Sequence, residues 1–130
     1  MSSRRLWRAT VLAAAMLAVT CSNPAEPTPG TAEFTIDVSG ERFVLRLTDP
    51  GTIQLAEDNR QGRNSRFPLG PLRAGNGGFN APWTWHMDPA ATRFVELAIE
   101  VCDGRPSYVE RNQADYSTYC PWGARVVGRR

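Results

Sequence analysis

The sequence predicts an α+β domain: a small, mostly antiparallel sheet or open barrel of about six strands, with two short helices, closed by one disulfide. Three observations lead there. Short segments alternate apolar and polar side chains, and the links between them are too brief for parallel crossovers. Two stretches open with helix-start chemistry. Of three cysteines, Cys21 is the one expected to carry acyl chains, which leaves Cys102 and Cys120 as a pair.

The N-terminal end is set apart from the domain. Arg4, Arg5 and Arg8 precede an apolar run from Ala9 to Val19, the charged and hydrophobic regions of an export signal over residues 1–20. That run is shorter than the about 20 residues of a membrane-crossing helix. "LAVTC" (Leu17 to Cys21) resembles the lipobox of bacterial lipoproteins, in which the cysteine is acylated. Ala18 and Thr20 depart from the residues usual in that pattern. "SRRLW" faintly resembles a twin-arginine signal. The expectation is a protein on the extracytoplasmic face of a bacterial membrane, or otherwise secreted, with membrane lipid as a partner through acylated Cys21. Residues 21–32 hold the anchor cysteine and a Pro-rich polar tether. The globular domain spans residues 33–130.

All 15 basic residues are arginine, and three belong to the leader. From Cys21 onward 12 arginines face 13 acidic residues, a net charge of −1. Such a balance gives no electrostatic footprint for phosphate backbones, so nucleic acid is excluded as a partner.

In chain order, "EFTIDV" alternates Phe34, Ile36 and Val38 against polar neighbours, and "RFVLRLT" places Phe43, Leu45 and Leu47 on one face; "SGE" between them makes a hairpin. Asp49 is a helix N-cap with Pro50 at the first helical position, and Ile53 and Ala56 share a face before Gly62 stops the run. Phe67 and Leu69 alternate, but Pro68 and Pro71 confine that segment to a sheet edge. "GNGGFNAP" is a loop. "WTWHM" reads as a strand and "DPAATR" as a turn. "FVELAIEVC" reads as the best strand, with Val95, Leu97, Ile99 and Val101 on one apolar face and Glu96 and Glu100 opposite. Ser107 and Glu110 stand at capping-box spacing and open a second short helix through about Asn112. A final strand runs around Ala124 to Val127. In an exported compartment Cys102 and Cys120 form a disulfide, worth roughly 3 kcal/mol in the chain-entropy model.

"RFVLRLTDPGTIQLA", "NAPWTWHMDP", "FVELAIEVCDGRPSYVE" and "CPWGARVV", in this order, resemble BP-seventy-four N-terminal-like domains across about Glu33 to Val127. The resemblance implies a secreted or envelope-associated domain without an established activity. It also implies that the Trp-His-Asp-Pro segment, the Cys-Asp-Gly turn and the Cys-Pro-Trp segment form one structural unit. Residues Asn59 to Asn80, rich in arginine and glycine, depart most from that family.

The chemistry available is thin. One histidine and no metal-ligand cluster exclude a metal site, and nothing implies a cofactor. No serine occupies a nucleophile elbow. Glu96 and Glu100 on one strand face lie about 13 Å apart by a rise of about 3.3 Å per residue, beyond the roughly 5–9.5 Å of a glycosidase pair. No catalytic residue is assigned; the weak candidates are His86, Glu96 and Glu100. In "WTWHM" strand alternation turns Trp83, Trp85 and Met87 one way and Thr84 and His86 the other, so tryptophans and histidine do not share one pocket. Core packing is the plain reading of the tryptophans, and hydrogen bonding within the fold that of His86. As ligand-binding candidates, Trp83, Trp85, His86 and Trp122 would offer a platform for sugar or peptide; Trp122 is otherwise packed against the disulfide. Arg60, Arg63, Arg66 and Arg73 are a solvated loop or a contact for an acidic partner or lipid headgroups. The function expected is a non-enzymatic, lipid-anchored binding or interaction domain for an envelope protein, peptide or glycan. The alternatives are an exported hydrolase using His86 with a strand carboxylate, and an inhibitor of extracellular proteases.

Overall fold

A computed structural model of the chain describes residues 30–99 and 101–130. The leader, Cys21, most of the tether and Glu100 lie outside the described residues. The domain consists of two antiparallel sheets, seven strands in all, with two helices. Neither sheet closes into a barrel.

The first sheet has the order β2–β1–β7. Strands β1 (Ala32–Val38) and β2 (Glu41–Leu47) form the expected hairpin, in register from Ala32 opposite Leu47 to Val38 opposite Glu41. Its two-residue turn needs positive φ at both positions, here 53° at Ser39 and 89° at Gly40. Asp37 Oδ1 holds the turn by accepting from the Gly40 N–H at 3.0 Å. Strand β7 (Ala124–Arg129) lies along the other edge of β1, with a register irregularity between Thr35 and Ile36. Phe34, Ile36 and Val38 of β1, Phe43, Leu45 and Leu47 of β2, and Ala124 and Val126 of β7 are buried. That is the inward set that alternation assigns.

Helix α1 (Pro50–Arg60) starts as its sequence dictates: Asp49 Oδ2 accepts from the Thr52 N–H at 2.8 Å and from Thr52 Oγ1 at 2.9 Å. Helix α2 (Pro106–Arg111) does not use the expected capping box. Ser107 N–H and Oγ instead donate to the Glu41 carboxylate on β2, at 2.9 and 3.0 Å. Glu110 reaches away to accept from Thr84 N–H and Oγ1. A carboxylate from another strand thus serves the helix start, a long-range arrangement that local spacing cannot register.

The second sheet is built on β3 (Phe67–Ala74), which is its hub and not an edge. Residues 67–69 pair with β5 (Arg93–Val95), 70–71 with β6 (Thr118–Tyr119) and 72–74 with β4 (Trp85–Met87). Pro68 and Pro71 are accommodated because no partner runs along more than three residues of β3, so an absent N–H interrupts no long ladder. Gly70 lets β3 approach the chain at Thr92: a Cβ there would sit 2.9 Å from Thr92 Cα.

Between the sheets lies the core, with Trp85, Met87, Phe94, Val109 and Tyr119 joining the strand residues. Trp85 contacts Phe43 and Tyr119 with ring centroids 5.4 Å away in each case. The segment read as the best strand departs from expectation. Only Arg93–Val95 is paired, and the chain from Glu96 onward is irregular. Ala98 and Cys102 point inward, so Leu97, Ile99 and Val101 point out and are 76%, 91% and 104% exposed. The inward positions are decided by the Cys102–Cys120 disulfide, Cα to Cα 5.1 Å, and not by the larger aliphatic side chains.

Candidate functional site

His86 is placed by β4, on the opposite face of that strand from buried Trp85 and Met87. Its Nδ1 lies 2.7 Å from the Gly75 carbonyl oxygen. A carbonyl only accepts, so Nδ1 carries the proton. The ring meets Phe79 edge-on, centroids 5.5 Å apart, and Gly77, at φ 64°, passes so close that a Cβ would stand 2.9 Å from the imidazole. Glu96, the carboxylate considered for it, is instead 3.0 Å from Arg66. Glu100 lies outside the described residues. Asp88, two residues along, is taken by Arg73 at 3.1 Å and by the Ala90 and Ala91 N–H groups. His86 therefore holds the Gly75–Phe79 loop, and no carboxylate among the described residues is hydrogen-bonded to it.

The other candidates separate cleanly. Trp85 is fully buried, and its indole N–H finds no acceptor among the described residues. Trp83 stacks on it at 6.1 Å and donates from Nε1 to the Arg42 carbonyl at 2.8 Å. Neither is a free platform. Trp122 is: it is 53% exposed. The loop arginines are engaged, Arg60 with Glu57, Arg63 with Asp58, Arg66 with Glu96 and Arg73 with Asp88.

The face that gathers unpaired chemistry surrounds the disulfide. A bracket of hydrogen bonds fixes it. Asp103 Oδ1 accepts from Gly104 N–H at 2.9 Å and Trp122 N–H at 3.0 Å. Tyr116 Oη donates to the Asp103 carbonyl at 2.8 Å, and Tyr119 Oη to the Gly104 carbonyl at 2.6 Å. Burial, with Asp103 nearby, pushes the Tyr119 hydroxyl far above its ordinary pKa, so it stays a donor. Five of the six large apolar side chains that stand exposed among the described residues belong to this region: Leu97, Ile99, Val101, Tyr108 and Trp122. Leu97, Ala98, Ile99 and Val101 make no backbone hydrogen bond among the described residues. This irregular segment, with its described N–H and C=O groups unpaired and its apolar side chains outward, offers the backbone groups that an added strand pairs with.

Beside this strip, Trp122 walls a cleft of about 590 Å³, with Arg63, Asn64, Ser65 and Arg125 around it. Its floor is set by Asn59, which α1 carries. Asn59 Nδ2 donates to the Arg66 carbonyl at 2.8 Å and to Asn64 Oδ1 at 3.1 Å, while its Oδ1 accepts from Val126 N–H at 2.9 Å. Nothing in the sequence singles out Arg125 or Asn59. A polar residue late in a helix and an arginine alternating outward on a strand are unremarkable until the fold sets them beside Trp122.

Among the described residues no group of three or more His, Cys, Asp or Glu could hold a metal ion. No described helix is long and apolar enough to cross a membrane. A family model described as the BP-seventy-four N-terminal domain matches residues 28–130. No curated protein and no solved structure matches the chain.

Proposed function

For a chain that belongs to the BP-seventy-four N-terminal domain family, we propose a non-enzymatic interaction domain that is held by an acylated Cys21 at the extracytoplasmic face of a bacterial membrane and docks an extended segment of an envelope protein. The observation that carries this reading is the strip Leu97, Ile99 and Val101, exposed to 76%, 91% and 104% with its backbone unpaired among the described residues. Contiguous exposed apolar surface on a small domain marks a place where something binds. Backbone groups free alongside it favour a strand as the occupant, since a strand satisfies both at once. A hydrolase would need an acid beside His86, and of the described carboxylates Glu96 is paired with Arg66 and Asp88 with Arg73 and backbone N–H groups.

The test is photo-crosslinking in the native envelope, with a benzophenone side chain at position 99 and, as control, at exposed position 54. A discrete protein adduct from position 99 and none from position 54 supports the reading; equal or absent adducts at both refute it. The anchor is checked separately by fatty-acid labelling of the full chain and of Cys21→Ala. Label in the former alone is expected, and equal label in both removes the anchor.

A further inference from the structure

The cleft beside Trp122 carries an inference independent of strand docking. We propose that it binds a saccharide bearing a ring carboxylate, with the Trp122 indole against the apolar face of the sugar and the Arg125 guanidinium on the carboxylate.

The charge around the cleft sets the ligand's charge. Arg63 is compensated by Asp58 at 2.6 Å. Arg60 and Arg129 share Glu57. Asp37 faces Arg125 across the β1–β7 ladder but is engaged with Arg42 at 3.4 Å. Arg125 alone lines the cleft, exposed, without an ion pair among the described residues. One uncompensated guanidinium matches one carboxylate, which it can hold through two parallel hydrogen bonds. A phosphate monoester, at nearly two negative charges, would be only half neutralised.

The shape sets the ligand's kind. About 590 Å³ is room for a sugar and its neighbour. Only one wall is aromatic. The rest of the lining, Gly62, Asn64 and Ser65 among it, brings no second ring. A ring with one apolar face and hydroxyls at its edge suits that asymmetry, whereas a flat aromatic ligand would leave its second face on polar groups. The floor is already in place, because the Asn59 and Asn64 amides are bonded to the protein, including Asn64 Nδ2 to the Leu55 carbonyl at 3.0 Å. Little ordering is then left to be done when a ligand arrives.

The experiment titrates the full-length chain in detergent micelles with a uronic acid tetrasaccharide, the neutral hexose tetrasaccharide of the same linkage, inorganic phosphate and a nucleoside monophosphate, read by calorimetry and tryptophan fluorescence. The expected result is saturable uronate binding with a fluorescence change, at least about tenfold tighter than the neutral sugar, a charged hydrogen bond's worth of discrimination. Arg125→Gln, at an exposed position, should abolish that preference, and Trp122→Ala should remove binding of both sugars. Ile99→Ser should bind uronate as the parent does, which separates this site from the docking strip. Equal affinity for both sugars, tighter binding of phosphate or the nucleotide, an unaffected Arg125→Gln, or no uronate binding at about 10 mM would each overturn the proposal.

Discussion

Asn80 joins the two sheets with the two ends of one amide. It is fully buried, its Oδ1 accepts from Val44 N–H on β2 at 2.7 Å, and its Nδ2 donates to the Trp85 carbonyl on β4 at 2.8 Å. Replacing it with alanine strands a donor and an acceptor in the interior, each costing about 1–3 kcal/mol. Asn80→Ala is therefore expected to lose about 3 kcal/mol in urea unfolding. A loss below about 1 kcal/mol would mean that the orphaned groups find other partners. In the sequence this asparagine is one more polar letter in "GNGGFNAP", because nothing local distinguishes a turn residue from a buried tie. His86 is more legible. Alternation in "WTWHM" puts it opposite the tryptophans, and His86 lies on the face of β4 away from buried Trp85.

Among the elements, β3 carries the greatest risk from a small change. At Gly70 an added Cβ would meet Thr92 backbone at 2.9 Å, and neither chain can yield without disturbing the β3–β5 pairing. Gly70→Ala is expected to destabilise by about 2 kcal/mol, as overpacking does. Thermal melting of that variant beside Gly123→Ala, where a Cβ meets nothing within 4 Å, checks it. Equal melting temperatures would refute the close approach. The same strand shows why the sequence is only partly readable. The β1–β2 hairpin, α1 with its Asp49 cap and the last strand are legible because their signals are local: a two-residue turn, a capping residue, an uninterrupted alternation. The hub position of β3 is not legible, because proline rules assume one long partner and it has three short ones. The segment from Glu96 to Val101 misleads because its alternation states a period without stating which face is buried. The disulfide decides that face, through a partner eighteen residues on. The Trp122 cleft is invisible in the sequence for the same reason, being assembled from α1, the following loop and the start of β7.

At the scale of the whole molecule, stability should fall with acid over a definite window. The Arg60 guanidinium, with Gln61, holds the Glu57 carboxyl at about 2 instead of 4.5. Hydrogen bonds from Ser107 hold Glu41 below its ordinary value, and those from Thr52 do so for Asp49. A carboxylate depressed in the folded state stabilises above its unfolded pKa, and that contribution is lost as pH falls through the folded one. The melting temperature is thus expected to hold from pH 7 to about 5 and to drop between about 4.5 and 2. Glu57→Gln should flatten part of that drop in the same scan. An unchanged slope would mean that solvent screens the pair completely.

The placement of β7 acts in time as well as in space. The first sheet is completed only when residues 124–129 lie down on residues 32–38, and β3 waits for β6 at residues 118–119. A chain synthesised from its N-terminus can complete neither sheet until those strands have been made, although β1–β2, β3–β4 and β3–β5 can pair earlier. Pairing so distant in sequence is slow to form. The domain therefore completes its fold only after these strands are synthesised.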